Sequence, residues 1–424
     1  MLDIKFIREN ADAVKKNNRN RGVDIDVDQL IDLDEKRRSH IAKLDEMRAL
    51  RNKTSKGKPS DEDILRMREV GERIAELESD LSIIDKLYRE LLLEIPNVIL
   101  STVPIGGEKD YKVLETHGEP TKFDFEPKDH LTLGEALDII DVKRAVKVSG
   151  GRFAYLKGAG ALLEFALVQF AMSKLVKEGF TPIIPPVLIR LGITEKLGYW
   201  QKGGNENYYL VSDFEKKNES AKEQANPLYL VGTGEHAVVP MHSDEILPAD
   251  ELPKKYVAFS SCFRREAGTY GKDTNGILRV HQFDKVEMVS FVKPEDDATE
   301  RGKMLAMAQG LLDDLELPYR TIQLASKDLS IPAAETIDIE TWIPSQNMYR
   351  ETHSISTTTN YQSRRLDTKY QEGNEKRLVH ILNGTALAIG RTIIAILENY
   401  QTKEGTIKIP KVLQPYMGGL KEIK

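Results

Sequence analysis

Cysteine is almost absent: Cys262 is the single one in 424 residues. One thiol cannot close a disulfide within the chain or furnish a thiolate-rich zinc site, so no zinc is expected. Long apolar runs are missing too. No stretch approaches the roughly 20 uncharged apolar residues of a membrane span, and Met1–Asn10 carries charges where a secretory signal would be apolar. A soluble, cytoplasmic protein without a membrane partner is the expectation. Two common nucleotide signatures are also lacking: there is no G-x-x-x-x-G-K-[ST], and Gly158 and Gly160 have no third glycine to complete a dinucleotide loop. Any nucleotide bound here must be held by side chains.

What is present begins with a segment that is poor in aromatics and nearly free of proline. From about residue 27 to 95 the chain is dense in charge, with Pro59 the one interior proline. Met67, Gly71, Ile74, Leu77, Leu81, Ile84, Tyr88, Leu91 and Ile95 recur at steps of three or four, and Leu30, Ile41 and Leu44 mark a sparser seam before them. Between the seams, Thr54 to Asp61 carries Gly57 and Pro59 to break a helix, and Ser60 to cap the next. The pattern predicts two long antiparallel helices joined by that turn. The first helix and the turn are locally basic, with Lys36, Arg37, Arg38, Lys43, Arg48, Arg51, Lys53, Lys56 and Lys58. On a chain of net charge −6 such a stripe suggests a polyanion partner. The same texture would equally serve an ordinary solvated coiled coil.

After Pro96 the texture changes, and Pro104, Gly106 and Gly107 read as a linker. The expected division is an N-terminal domain over 1–110 and a second over 111–424. The second mixes β-rich runs (Tyr256 to Ser260, Lys285 to Val292, Thr336 to Trp342) with helical stretches (Gly160 to Lys177, Ala386 to Tyr400). Without regular βαβ units this predicts an α+β domain, an antiparallel sheet flanked by helices.

Three segments offer chemistry. Cys262-Phe263-Arg264-Arg265-Glu266 runs through a loop to Arg279-Val280-His281-Gln282-Phe283-Asp284-Lys285-Val286-Glu287, a strand and its return. Arginine forks onto phosphate or carboxylate and an aromatic ring stacks on a purine; a charged surface hairpin is the bland alternative. Asn383-Gly384-Thr385 leads to Gly390-Arg391, where one arginine in an apolar helix start either faces an anion or snorkels from the core. Gly179-Phe180-Thr181-Pro182-Ile183-Ile184-Pro185-Pro186 reads as an edge strand or an interface.

Taken in order, these three segments resemble motifs two, three and one of class II aminoacyl-tRNA synthetases. Lys147 to Gly158, Thr233-Gly234-Glu235, His281 to Glu287 and Pro415-Tyr416-Met417-Gly418-Gly419 are similar to seryl-tRNA synthetases of bacterial type in particular. The resemblance covers nearly the whole chain, hairpin included. It implies ATP-dependent attachment of L-serine to tRNA(Ser) through a seryl-adenylate, with tRNA(Sec) as a second candidate acceptor, in a cytoplasmic homodimer whose helical arm binds tRNA.

The roles it implies are these. Arg264, Glu266 and Arg391 are catalytic. Thr233, Gly234, Glu235, Arg264, Glu287, Asn383 and Thr385 bind serine. Arg264, Arg265, Glu266, Val280, Phe283, Glu351, Thr352, His353, Ser354 and Arg391 bind ATP, and Glu351 with Ser354 holds Mg2+. Two departures from the family pattern stand out: His236-Ala237-Val238 follows Glu235, and His353 replaces a small residue beside Ser354. A paralogue loading amino acids onto a carrier protein is the rival reading; the intact arm argues against it.

Overall fold

The computed structural model of the chain describes residues 1–54, 60–199, 204–211, 227–267 and 276–424. Contacts divide it into two compact units, Met1–Val98 and Ile99–Lys424.

The first unit is built on two long helices, α1 (Val27–Thr54) and α2 (Asp61–Glu94). Ser60 starts α2 with a capping box: its Oγ accepts from the Asp63 amide at 3.1 Å, and Asp63 Oδ2 accepts from the Ser60 amide at 3.1 Å. Asp61, Glu62 and Asp63 place negative charge at the positive end of the helix dipole. The helices run antiparallel, since Arg37 pairs with Asp85 (2.6 Å) and Arg48 with Glu78 (2.7 Å). Leu44, Val70, Ile74 and Leu77 are buried between them, flanked by Met47, Leu50, Met67 and Leu81. Val70 takes the buried place that the heptad reading gave to Gly71. Acidic residues of both helices answer part of the basic stripe, as with Asp32 and Lys36, while Lys43, Arg51 and Lys53 stay exposed. The turn with Lys56 and Lys58 lies outside the described residues.

The second unit is organised by an eight-stranded sheet. Its strands in chain order are β1 (Lys112–His117), β2 (Thr181–Ile183), β3 (Lys254–Phe263), β4 (Gln282–Val292), β5 (Tyr319–Gln323), β6 (Glu335–Ile343), β7 (Met348–Thr357) and β8 (His380–Ala388), arranged 1-5-6-7-8-4-3-2. Every neighbouring pair is antiparallel except β2 with β3, so Pro182 sits on an edge strand where its missing N–H is tolerated. Strand alternation gives the sheet two characters. Val286, Met288, Ile339, Ile355 and Leu382 face the apolar core, together with α3 (Ala159–Lys177), α4 (Asp297–Asp314) and α5 (Ile389–Asn399). Lys285, Glu287, Asp338, Ser354 and Asn383 line a cavity on the opposite face.

Among the described residues α3 is the one helix long and apolar enough to cross a membrane by length and composition. Its Leu163, Leu167, Phe170 and Leu175 are instead packed into the core. The apolar stretch Ala386–Ala388, expected to open a helix, is the end of β8, and α5 starts only at Ile389. A short apolar run does not distinguish the two conformations, and hydrogen bonding to β4 decides it. Residues 99–110, assigned from sequence to the N-terminal domain with a linker at Pro104, Gly106 and Gly107, pack within the second unit: Val103 shares a cluster with Leu329 and Ala333, and the Leu100 amide donates to Ala334 O at 3.0 Å.

Candidate active site

A cavity of about 580 Å³ opens over the polar face of the sheet, and a second of about 150 Å³ adjoins it. Arg264, Glu266, Arg279, Lys285, Glu351 and Ser354 line both. Thr233, Glu235, Glu287 and Asn383 belong to the larger; Val280, Phe283, Thr352, Thr385 and Arg391 belong to the smaller.

Arg264 follows β3 directly. Its amide donates to His281 O at 2.9 Å, prolonging the β3–β4 ladder by one residue and fixing where the side chain begins. Its Nε donates to Gly232 O at 3.0 Å, and its guanidinium lies over the Phe283 ring, 5.3 Å from the centroid. Glu266 adopts a left-handed backbone (φ +48°), a conformation costly for a non-glycine residue; it is held by the Arg279 guanidinium at 3.2 Å. Arg152 Nη1 also donates to Glu266 O at 3.3 Å.

The loop Val231–Gly234 closes one side. The Phe263 amide donates to Val231 O at 2.8 Å, and a Cβ on Gly234 would lie 3.2 Å from Ser260 Oγ and 3.4 Å from Glu287 Cβ, so the loop can rest on the sheet only with a small residue there. Glu235 then begins a one-turn helix with its side chain buried. Its Oε1 accepts from Tyr199 Oη at 2.8 Å and Gln362 Nε2 at 3.0 Å. Burial, followed by the nearby Glu287, pushes the Glu235 carboxyl up to about 7, against the opposing pull of Gln362, Tyr199 and Lys285. Glu287 differs: Lys285 Nζ is 2.6 Å from its Oε2, and Thr385 Oγ1 donates to the same oxygen at 3.4 Å.

Two of the central strand pairs carry a β-bulge beside functional residues. Glu340 pairs with Glu351 and Ile339 with His353, leaving Thr352 extra; Glu287 pairs with Thr385 and Val286 with Leu387, leaving Ala386 extra. Residues three apart on a regular strand face opposite ways. The bulge at Thr352 brings Glu351 and Ser354 to the same cavity. Arg391, in the first turn of α5, donates to Glu351 O at 2.9 Å and lies 3.3 Å from Glu351 Oε1. Crowding by protein works against the Glu351 charge, yet Arg391 and Arg264 together hold its carboxyl below the ordinary value. Opposite Ser354 in the β6–β7 register sits Asp338, buried, with Oδ1 lacking any partner among the described residues. Burial, then Glu351 and Asp328, push Asp338 well up.

Two expected residues stand apart. Arg265 lines a separate open hollow with Tyr208, Tyr209 and Tyr229. His353 is buried below the cavity floor, its Nδ1 2.8 Å from Thr352 Oγ1, and burial lowers it to about 4. His236, beside Glu235, is largely buried but lines the larger cavity; burial, then Arg264, lowers it to about 3, so it stays neutral while Nδ1 accepts from the Gly232 amide at 3.3 Å. His242 has other partners, Glu245 at 2.7 Å and Tyr256 Oη at 2.9 Å. Sequence reading missed Lys285, Asp338, Tyr199 and Gln362. Alternation along β4 and β6 could have found the first two; nothing local signals the others.

Comparison with known proteins is consistent along the whole chain. Residues 1–99 match the family described as seryl-tRNA synthetase N-terminal domain, and residues 211–400 match the tRNA synthetase class II core domain (G, H, P, S and T). Serine–tRNA ligase 1 of Streptomyces avermitilis is 44% identical over 430 residues, 99% of this chain and 98% of the relative. Serine–tRNA ligase of Corynebacterium glutamicum is 44% identical over 426 residues, 99% and 97% respectively. Among solved structures, seryl-tRNA synthetase from Pyrococcus horikoshii complexed with ATP superposes with a TM-score of 0.89 at 37% identity, covering 100% of this chain and 99% of that one. Cytoplasmic serine–tRNA ligase from Naegleria fowleri in complex with AMP gives 0.87 at 33%, covering 100% and 99%.

Proposed function

The chain belongs to the seryl-tRNA synthetase family, and on that premise we propose how its own residues carry out the ATP-dependent attachment of L-serine to tRNA(Ser). The observation that carries the reading is the single cavity system in which Glu235, Glu287 and Asn383 adjoin Arg264, Phe283 and Arg391.

In the first step a serine carboxylate oxygen attacks the α-phosphorus of ATP, and the bond to the bridging oxygen breaks to release pyrophosphate. Such a step needs positioning and charge stabilisation more than covalent help. Arg264 stands between the serine end and the nucleotide end of the cavity, where its guanidinium can bridge the carboxylate and the α-phosphate. Its stacking on Phe283 leaves the outer face of that ring for adenine. Glu266, with the backbone at Val280, holds the nucleotide, and Arg391 grips the γ-phosphate. The roles of Arg265 and His353 are indirect in this scheme. Thr233, Glu235, Glu287, Asn383 and Thr385 surround serine. A pocket built to hydrogen-bond a hydroxyl rejects alanine, whose binding would strand those polar groups.

Magnesium would be held by Glu351 and Ser354, with Asp338 facing Ser354. The oxygen donors suit a hard cation, and an orphaned carboxylate oxygen in a crowd of acids is the setting a divalent ion relieves. When bound, the ion supplies charge neutralisation on the phosphates. Among the described residues no three His, Cys, Asp or Glu side chains converge to hold an ion alone, and the ion's remaining donors would come from ATP.

In the second step a terminal ribose hydroxyl of tRNA takes the seryl group and AMP leaves. The unit Met1–Val98, with its basic arm, binds the tRNA, and the unit Ile99–Lys424 performs the chemistry. The exposed apolar side chains Phe165 (70%) on α3 and Ile184 (84%) directly after the edge strand β2 support a homodimer. A cytoplasmic location is the reading these substrates support. An ATP–pyrophosphate exchange panel across amino acids, followed by aminoacylation of tRNA(Ser), tRNA(Sec) and a carrier protein, tests the reading. Serine-dependent exchange with transfer to tRNA(Ser) is expected; exchange driven by another amino acid, or transfer to the carrier alone, overturns it.

A further inference from the structure

We infer that Gln362 and Tyr199 are positioning residues for serine recognition, binding one oxygen of Glu235 so that the other is presented, still carrying uncompensated charge, to the substrate ammonium. The inference rests on the reading of Glu235 as a serine-binding group and deepens it.

The two carboxylates of the serine site are treated differently. Glu287 has an ammonium of the protein's own, Lys285 Nζ, 2.6 Å from Oε2. Among the described residues Glu235 has only neutral donors, and both meet its Oε1: Tyr199 Oη at 2.8 Å and Gln362 Nε2 at 3.0 Å. Neutral donors orient a carboxylate without cancelling its charge, whereas an ion pair within the protein would compete with the ligand. This divides the labour, giving the amine to Glu235 and leaving Glu287, with Thr385 beside it, for the hydroxyl.

The donors are themselves fixed. Gln362 is fully buried on the helix Tyr361–Leu366; its Oε1 accepts from Thr358 Oγ1 at 3.2 Å and its Nε2 also reaches Leu197 O at 3.4 Å. The same helix is tied down by Ser363 Oγ to Val379 O (2.6 Å) and Arg365 Nη1 to Glu195 O (3.1 Å). A rigid outer layer of this kind sets a binding group to within the tolerance recognition needs.

The charged and titratable groups facing Glu235 are Glu287 and Lys285 from β4, Arg264 from the end of β3, Tyr199, and His236 from its own turn. Burial and Glu287 disfavour its ionised form; the two donors and Lys285 favour it. Removing a donor therefore moves the titration to higher pH, and serine binding, which needs the carboxylate, fails over a wider range below that point.

Tyr199→Phe and Gln362→Met keep the shape and delete one donor each. In ATP–pyrophosphate exchange from about pH 6 to 9, each should raise KM for serine by roughly tenfold, leave KM for ATP and kcat at high pH unchanged, and move the acid limb of kcat/KM for serine upward. Two variants guard against a folding defect in one. Unchanged KM for serine with an unmoved acid limb, while Glu235→Gln raises that KM, overturns the inference alone. If Glu235→Gln itself leaves KM for serine unaltered, the reading of Glu235 fails with it. Equal losses for ATP and serine would assign both residues a merely structural role and also overturn it.

Discussion

Arg264 lies over the ring of Phe283 with its guanidinium carbon 5.3 Å from the centroid, diagonally across the ladder, since Phe283 pairs with Cys262 and the Arg264 amide bonds to His281 O. The stack pins a long, otherwise rotatable side chain from one flank, and the bond from Nε to Gly232 O pins it from another. Arg264→Ala should therefore reduce kcat for exchange by roughly 10²–10³, the scale of losing a preorganised charge at a reacting oxyanion. Arg264→Lys should rescue little, since an ammonium cannot fork or stack in the same way. Exchange kinetics read both, and near-normal turnover of the lysine variant would show that charge alone suffices.

The arm should be separable from the chemistry. Deleting Thr54 to Pro59 removes Lys56 and Lys58 but none of the residues lining the two cavities. Exchange is expected to persist, while kcat/KM for tRNA falls roughly tenfold or more and the dependence of the remainder on salt weakens, as lost phosphate contacts require. Parallel loss of both activities would refute separate roles.

Glu164 on α3 shares a hydrogen bond with Asp284 on β4, and Ser261 Oγ donates to Asp284 Oδ1 at 2.6 Å. Burial, then the bond and charge of Asp284, lift the Glu164 carboxyl to about 8 from an ordinary 4.5. The folded chain thus binds a proton that the unfolded chain has released between those two values, so stability falls as pH rises through the window. Thermal unfolding of Glu164→Gln should lose this slope and keep its midpoint across neutral pH. Parallel pH profiles for the two proteins would exclude the protonated pair.

Metal dependence offers a check on the acidic cluster. Glu351→Gln and Asp338→Asn should each raise the Mg2+ concentration giving half-maximal exchange, with Glu351→Gln also disturbing the ion pair to Arg391. A titration with Mg2+ at fixed ATP distinguishes the two, because only the former should also raise KM for ATP. An unshifted Mg2+ curve for Asp338→Asn would remove that residue from the site.

Much of this was legible in the sequence wherever the signal is local. Ser60 after a glycine–proline break announces a capped helix, and β4 with β6 shows its strand character through alternation. The sheet and the arm follow from such patterns. What could not be read is whatever depends on contacts between distant segments. Ala386–Ala388 is strand because β4 lies beside it, and Gln362 reaches Glu235 across 127 positions with no motif to announce it. Val70 was passed over because a glycine happened to fall on the heptad position next to it.

The extra residue at Thr352 has a bearing on how such chains can diverge in length. Inserting one residue into β6 between Ile339 and Glu340 would give Thr352 a partner and leave a regular ladder, fully bonded and no less sheet-like to any measure of backbone order, but with Glu351 turned to the wrong side from Ser354. A variant of that kind could fold, melt at an ordinary temperature and still be inert. Loss of activity by descent could thus begin with a single codon and leave the architecture untouched.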